Sequence, residues 1–238
     1  MSTTVLVTGF EPFLTFPVNP SGQIAAALDG EALGTGRVVG RVLPVAYERA
    51  GEMVEALLDE LRPDAVVALG LAAGRERICF ERVAINCMDG EVDNQGVRHQ
   101  DELIDPQGPA AYFTTLPIRA MEEQLRAEAI PAAISNTAGT YLCNYVMYRL
   151  LHHLSRTGRR IPAGFVHLPA SHDLAVALER PVPSWPADDL KRATERSVEA
   201  LLGWMATSSS TGPSSEPRNT PHGHALRWGR GRGYAHPH

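Results

Sequence analysis

Short apolar runs alternate along this chain with stretches whose apolar residues recur at every third or fourth position. Val5–Val7 is such a run. It stops abruptly at Thr8-Gly9, as a buried strand does. Val38–Val45, Ala65–Leu69, Ile78–Ile85, Ala132–Ile134 and Gly164–Leu168 read as strands for the same reason. Between them, Met53, Val54, Leu57, Leu58 and Leu61 share one helical face. Helices are also predicted over Pro117–Ala129, Tyr141–Leu154 and Asp188–Met205, the last with Pro186 just ahead of its first turn. A polar loop is expected from Asn86 to about Gln107, and no internal repeat is visible.

Strands that are apolar on both faces and alternate with amphipathic helices predict an α/β fold. Its mainly parallel central sheet has helices on both faces, a three-layer α/β/α sandwich. Ligands of such sheets bind beyond the carboxyl ends of the strands. The loops to watch therefore follow Val7, Leu69, Ile85, Ile134 and Val166.

Composition alters this picture at one boundary. The chain has 238 residues, 44% of them hydrophobic, which is enough for a sizeable core without staples. From Thr207 onward it turns rich in Ser, Gly, Pro, His and Arg, and such a segment buries too little apolar area to offset its ordering entropy. The expectation is a single domain over residues 1–206 and a disordered tail over 207–238. The tail's Arg-Gly stretch, Arg227 to Arg232 with Trp228 and Tyr234, could touch nucleic acid, and its four histidines could hold a metal weakly. Biased composition by itself specifies neither.

Lys+Arg 22 against Asp+Glu 27 leaves a net charge of -5, so neither nucleic acid nor an anionic membrane is expected as the main partner. No apolar run reaches the ~18 residues of a membrane span, and Met1–Phe10 lacks the basic flank of a secretory signal. The three cysteines, Cys79, Cys87 and Cys143, are too few for a disulfide framework. A cytoplasmic protein with reduced thiols is expected.

Common catalytic signatures are missing. There is no phosphate-binding Gly-Lys loop, no dinucleotide glycine motif, no His-Glu-x-x-His and no Gly-x-Ser-x-Gly elbow. Ser171-His172-Asp173 has triad composition, but consecutive side chains cannot converge, so it reads as a polar turn. Cys143 falls where a small-residue stretch gives way to a helix, and a thiol at a helix start is favoured as thiolate. On sequence alone the reading as a small buried hydrophobe on the helix's apolar face is the favoured one. Cys79, inside a strand, and Cys87, in a loop, read as structural. His167 ends a strand in GFVHLP, where an α/β sheet presents functional groups, or is simply a hydrogen-bonded strand end. Glu81 interrupts an apolar strand and requires a partner or solvent. The three make a Cys–His–Glu set whose convergence spacing does not establish.

Four stretches resemble one family. GFEPF at Gly9–Phe13, ERVAIN at Glu81–Asn86, SNTAGTYLCN at Ser135–Asn144 and GFVHLP at Gly164–Pro169 occur in the order found in pyroglutamyl peptidase I, also called pyrrolidone-carboxylate peptidase, a family of cysteine exopeptidases. The resemblance covers residues 1 to about 206. It implies removal of an N-terminal pyroglutamate (5-oxoproline) from peptides, with no cofactor and no metal. By position it implies Cys143 as nucleophile, His167 as general base and Glu81 as orienting carboxylate. It implies Phe10 and Phe13 as apolar walls around the pyroglutamyl ring, with Asn19 close by. The family commonly forms homo-oligomers, often tetramers, and the same is expected here.

Two departures stand out. Relatives follow the glutamate motif with a stretch resembling D-A-R-I-P-D-N; here Asp89-Gly90-Glu91-Val92-Asp93-Asn94 is one residue shorter and lacks the arginine. Leu71 also stands where some members carry glutamine. The alternative reading is a catalytically weakened homologue or binding protein that keeps the pyroglutamyl pocket, unless Arg75, Arg77 or Arg98 substitutes. A likeness of fold alone, to nucleoside phosphorylases, ranks below both because their phosphate sites need basic and glycine residues not found here.

Overall fold

The computed structural model describes residues 3–13, 16–178 and 181–210. The chain opens with β1 (Thr3–Phe10), α1 (Pro20–Ala27), β2 (Ala32–Leu33), β3 (Gly36–Leu43), α2 (Tyr47–Leu61) and β4 (Ala65–Leu71). Next come β5 (Ile78–Glu81), β6 (Val83–Ile85), β7 (Ala111–Phe113), α3 (Ile118–Ala127), β8 (Ala132–Ser135) and α4 (Leu142–Arg156). It closes with β9 (Ala163–Leu168), β10 (Ala170–Ser171), α5 (His172–Ala177), β11 (Ser184–Trp185) and α6 (Ala187–Ser210).

Seven strands form one sheet in the order β2-β3-β1-β4-β9-β5-β8. β3, β1, β4 and β9 pair in parallel, as do β5 and β8, while β5 runs antiparallel to β9 and β2 antiparallel to β3. The alternation of side chains across a strand then sorts the core into two layers. Val5, Val7, Val67, Leu69, Ile78, Phe80, Val166 and Leu168 face α1, α3 and α6. Leu6, Val66, Ala68, Ala163 and Phe165 face α2 and α4. The fold is thus the expected α/β sandwich, with a mainly parallel sheet between two helical layers.

Helix α5, which begins at His172 where a polar turn was expected, and the short strands β2, β7, β10 and β11 were not predicted, and three larger expectations change. The run Ile78–Ile85 is two strands: at Arg82 the backbone leaves the main sheet and β6 pairs instead with β7. Helix α1 was not predicted. Its apolar content is mostly Ala, but Asn19 caps it, with Oδ1 accepting from the Ser21 N–H at 3.1 Å, and Pro20 occupies its first position. The last helix runs through Ser210, four residues past the expected edge of the domain, with Thr207 Oγ1 donating back to Trp204 O at 2.9 Å. Residues 211–238, and with them the Arg-Gly stretch and the four tail histidines, lie outside the described residues.

Candidate active site

The strand register builds the site. Gly70 on β4, His167 on β9 and Cys79 on β5 are opposite one another in adjacent strands. Paired residues point to the same face, so this row faces the α2–α4 layer, with Phe165. Glu81, two residues beyond Cys79, lies on that face diagonal to His167. His167 Nδ1 and Glu81 Oε1 are 2.7 Å apart. Both side chains are withdrawn from water, Glu81 entirely and His167 to 5% exposure. The sequence question about Glu81 is answered by this partner and a second: Arg75 Nη1, from the turn after β4, stands 2.8 Å from the same oxygen.

Cys143 arrives from above on α4. It is the second residue of that helix, whose cap residue Tyr141 provides no side-chain hydrogen bond. Its sulfur reaches down to the sheet beside Gly70: a Cβ at Gly70 would lie 2.8 Å from Cys143 Sγ and 2.7 Å from Phe165 Cζ. The N–H of Cys143, in the first helical turn, has no acceptor one turn back in the helix; it meets its own sulfur, which lowers the thiol slightly. Asn144, the next residue, locks the helix start to β6 and the segment after it. Its Nδ2 donates to Ile85 O and Cys87 O, both at 2.9 Å, and its Oδ1 accepts from the Ile85 N–H at 2.9 Å.

Electrostatics modify the expectation of a ready thiolate. Burial pushes the Cys143 thiol up to about 12, the Glu81 charge adds to the rise, and Arg75 opposes it. Burial likewise holds His167 below its ordinary value, with Glu81 raising and Arg75 lowering it. Desolvation is the largest influence on both groups and favours the neutral thiol and the neutral imidazole.

Beside Cys143 lies a small cavity of ≈ 50 Å³ lined by Phe10, Phe13, Asn19, Val45, Leu71, Tyr141, Leu142 and Cys143. Phe10, Phe13 and Asn19 thus meet the thiol in one place. Val45, Leu71, Tyr141 and Leu142 complete the wall; only Leu71 had been noted in the sequence, for its departure from glutamine. Asn19 shapes this wall and is not a free donor: its Nδ2 gives to Glu11 O at 3.1 Å while its Oδ1 caps α1. A larger groove of ≈ 640 Å³ against α4 and α6 has arginines and apolar groups in its lining but no thiol, imidazole or carboxylate.

The other candidates disperse. Ser171 Oγ caps α5 by accepting from the Leu174 N–H, and His172 Nδ1 pairs with Ser184 Oγ at 2.9 Å. His99 meets Glu102, His152 meets Tyr112, and His153 meets Asp59. In the loop without the arginine, Glu91 is exposed, and Arg98 Nε donates to Gly90 O at 3.0 Å. Arg77 is exposed.

The family model described as pyroglutamyl peptidase matches residues 3–203. The chain belongs to the pyroglutamyl peptidase family. It is 48% identical to the pyrrolidone-carboxylate peptidase of Oceanobacillus iheyensis over 197 residues, covering 83% of this chain and 98% of that one. With the corresponding protein of Halalkalibacterium halodurans it shares 46% over 202 residues, 84% of this chain and all of the other. Among solved structures, pyrrolidone carboxyl peptidase from Thermococcus litoralis superposes with a TM-score of 0.83 at 41% identity, covering 87% of this chain and 96% of that one. A mutant form of the Pyrococcus furiosus enzyme gives 0.82 at 42% identity, covering 85% and 100%. The chain is accordingly a peptidase, as the four motifs implied. Among the described residues no helix is long and apolar enough to cross a membrane.

Proposed function

We propose that Cys143, His167 and Glu81 carry out the family's reaction in this chain as nucleophile, general base and orienting acid. The reaction removes an N-terminal pyroglutamate from a peptide. The observation that carries the assignment is the 2.7 Å contact of His167 Nδ1 with buried Glu81, on the sheet face that α4 covers with Cys143. An ionised carboxylate only accepts, so Nδ1–H donates to Glu81 and Nε2 is left with the lone pair a base requires.

The steps follow from that tautomer. Nε2 takes the thiol proton as sulfur attacks the pyroglutamyl carbonyl carbon, and the Cys143 N–H supports the oxyanion. The imidazolium, steadied by Glu81, then protonates the leaving amine as the C–N bond breaks, leaving a thioester. A water molecule deprotonated by the same Nε2 hydrolyses it, freeing pyroglutamate and the thiol. Phe10, Phe13 and Tyr141 offer flat walls to a lactam ring, which has no free amine to recognise.

Hydrolysis of a chromogenic pyroglutamyl amide tests the assignment. Cys143→Ala and His167→Ala are expected to abolish thiol-dependent cleavage, and Glu81→Gln to lower kcat by up to ~10⁴-fold, as loss of the orienting acid does in other triads. Wild-type turnover no higher than that of Cys143→Ala would refute it.

The remaining expectations belong to the same reading. A nucleophilic thiol needs a reducing compartment, which suits the cytoplasm. The groove that exposes Phe113 and Trp204 offers an apolar face to a homo-oligomer, a tetramer by family resemblance, and sedimentation tests it. The folding unit extends through Ser210, and truncation after that residue is expected to leave the melting temperature and kcat/KM unchanged.

A further inference from the structure

Glu81 Oε1 is approached by two groups, His167 Nδ1 at 2.7 Å and Arg75 Nη1 at 2.8 Å. Its other oxygen, Oε2, is buried without a hydrogen-bond partner. The charge of this carboxylate is therefore balanced through one oxygen, and a neutral His167 cannot balance it. Arg75 can. It has a second engagement: Nη2 donates to Thr137 O at 3.1 Å, in the loop that leads from β8 into α4 and Cys143. Its own N–H closes the turn after β4 on Ala72 O at 2.9 Å. One planar guanidinium thus spans the strand that carries the acid and the loop that leads into the thiol's helix.

We propose that Arg75 is a positioning residue for the peptidase reaction, balancing the buried charge of Glu81, aiming its oxygen at His167 and tying the loop that leads into the Cys143 helix to the same carboxylate. The proposal rests on the roles given above to Cys143, His167 and Glu81. The physical need is plain, because a carboxylate sealed from water is costly unless a cation or several hydrogen bonds hold it.

The groups that face Glu81 are few. His167 approaches from β9, Cys79 is its neighbour on the same face of β5, Cys143 lies above on α4, and Arg75 closes the fourth side. Arg82 turns to Asn136 Oδ1 instead, at 2.8 Å, and Ser135, opposite Glu81 on β8, carries no charge. Arg75 acts on two of these groups in the same direction, lowering both the Cys143 thiol and the His167 imidazole. Its removal shifts both upward.

The test compares the full-length wild type with Arg75→Met and Arg75→Lys. Two profiles against pH are measured: kcat/KM on the chromogenic amide, and iodoacetamide alkylation of the peptide that contains Cys143, followed by mass. Arg75→Met is expected to lower kcat by ~10–100-fold, typical of groups that support a reacting residue from behind. It also moves both the acid limb of kcat/KM and the alkylation profile to higher pH. Arg75→Lys keeps the charge, so both profiles return toward wild type. Part of the kcat loss persists, because an ammonium cannot span Glu81 and Thr137 as a planar fork does.

Profiles unmoved in Arg75→Met, or as displaced in Arg75→Lys as in Arg75→Met, overturn the proposal. If Arg75→Met does not fold, Arg75→Gln takes its place in the comparison. If the wild type cleaves nothing, the proposed function fails on its own. The alkylation profiles then still decide whether Arg75 governs the thiol.

Discussion

Gly70 on β4 and Cys143 on α4 meet without an intervening side chain: a Cβ at Gly70 would lie 2.8 Å from the Cys143 sulfur. It would also press on the ring of Phe165, at 2.7 Å, and Phe165 is fully buried and cannot retreat. Gly70→Ala is therefore expected to displace the thiol and lower kcat by ~10²-fold, the cost of misplacing a reacting atom by about 1 Å. Overpacking should remove about 1–3 kcal/mol of stability as well. Kinetics alongside a thermal melt separate the two effects; unchanged kcat would show that the sulfur does not need this space.

The pH dependence follows from two directions of shift. His167, held by burial below its ordinary 6.5, must be neutral to act as base. Activity is then lost as pH falls through its folded value, and the acid limb of kcat/KM lies below 6.5. The Cys143 thiol, raised to about 12, should alkylate faster with each step in pH through neutrality. A rate that is already level from acid pH would instead reveal a stable thiolate–imidazolium pair.

Asn19 is 3% exposed and spends its amide on two partners, the start of α1 and Glu11 O. Asn19→Ala should cost about 1 kcal/mol through the lost cap. It also releases the Phe10–Phe13 segment, so KM is expected to rise more than kcat falls. A melt that shifts without any change in KM would confine Asn19 to a structural role.

The loop without arginine supplies a further test. Because Glu91 is exposed, Glu91→Arg is expected to change kcat/KM by less than about fivefold, as exposed charges contribute about 0–1 kcal/mol. A gain of an order of magnitude would mean that the missing arginine limits turnover and would favour the weakened-homologue reading.

Much of the architecture is legible in the chain because burial is written locally. An uninterrupted apolar run such as Ala65–Leu69 needs cover on both faces, and the spacing of Val54, Leu57, Leu58 and Leu61 supplies one covering face. Helix α1 escaped because eight residues dominated by Ala, Gly and Ser give little periodicity; Asn19-Pro20 was its only strong signal. The break at Arg82 escaped for another reason. Both halves of Ile78–Ile85 are strands, and only their partners differ.

For the site, residue types singled out Cys143, His167 and Glu81 as candidates, and the family resemblance implied their roles and set Phe10, Phe13 and Asn19 beside them. Their assembly was decided by tertiary structure. Glu81 and His167 are 86 positions apart, and their contact depends on β5 running antiparallel to β9 with Cys79 opposite His167. A shift of one residue would turn Glu81 to the other face of the sheet. Arg75 shows the same limit, since among three plausible arginines only the turn after β4 brings this one to Glu81. Periodicity and composition are local properties of a chain, whereas register and ion pairing are settled by long-range backbone hydrogen bonds that no short stretch of sequence contains.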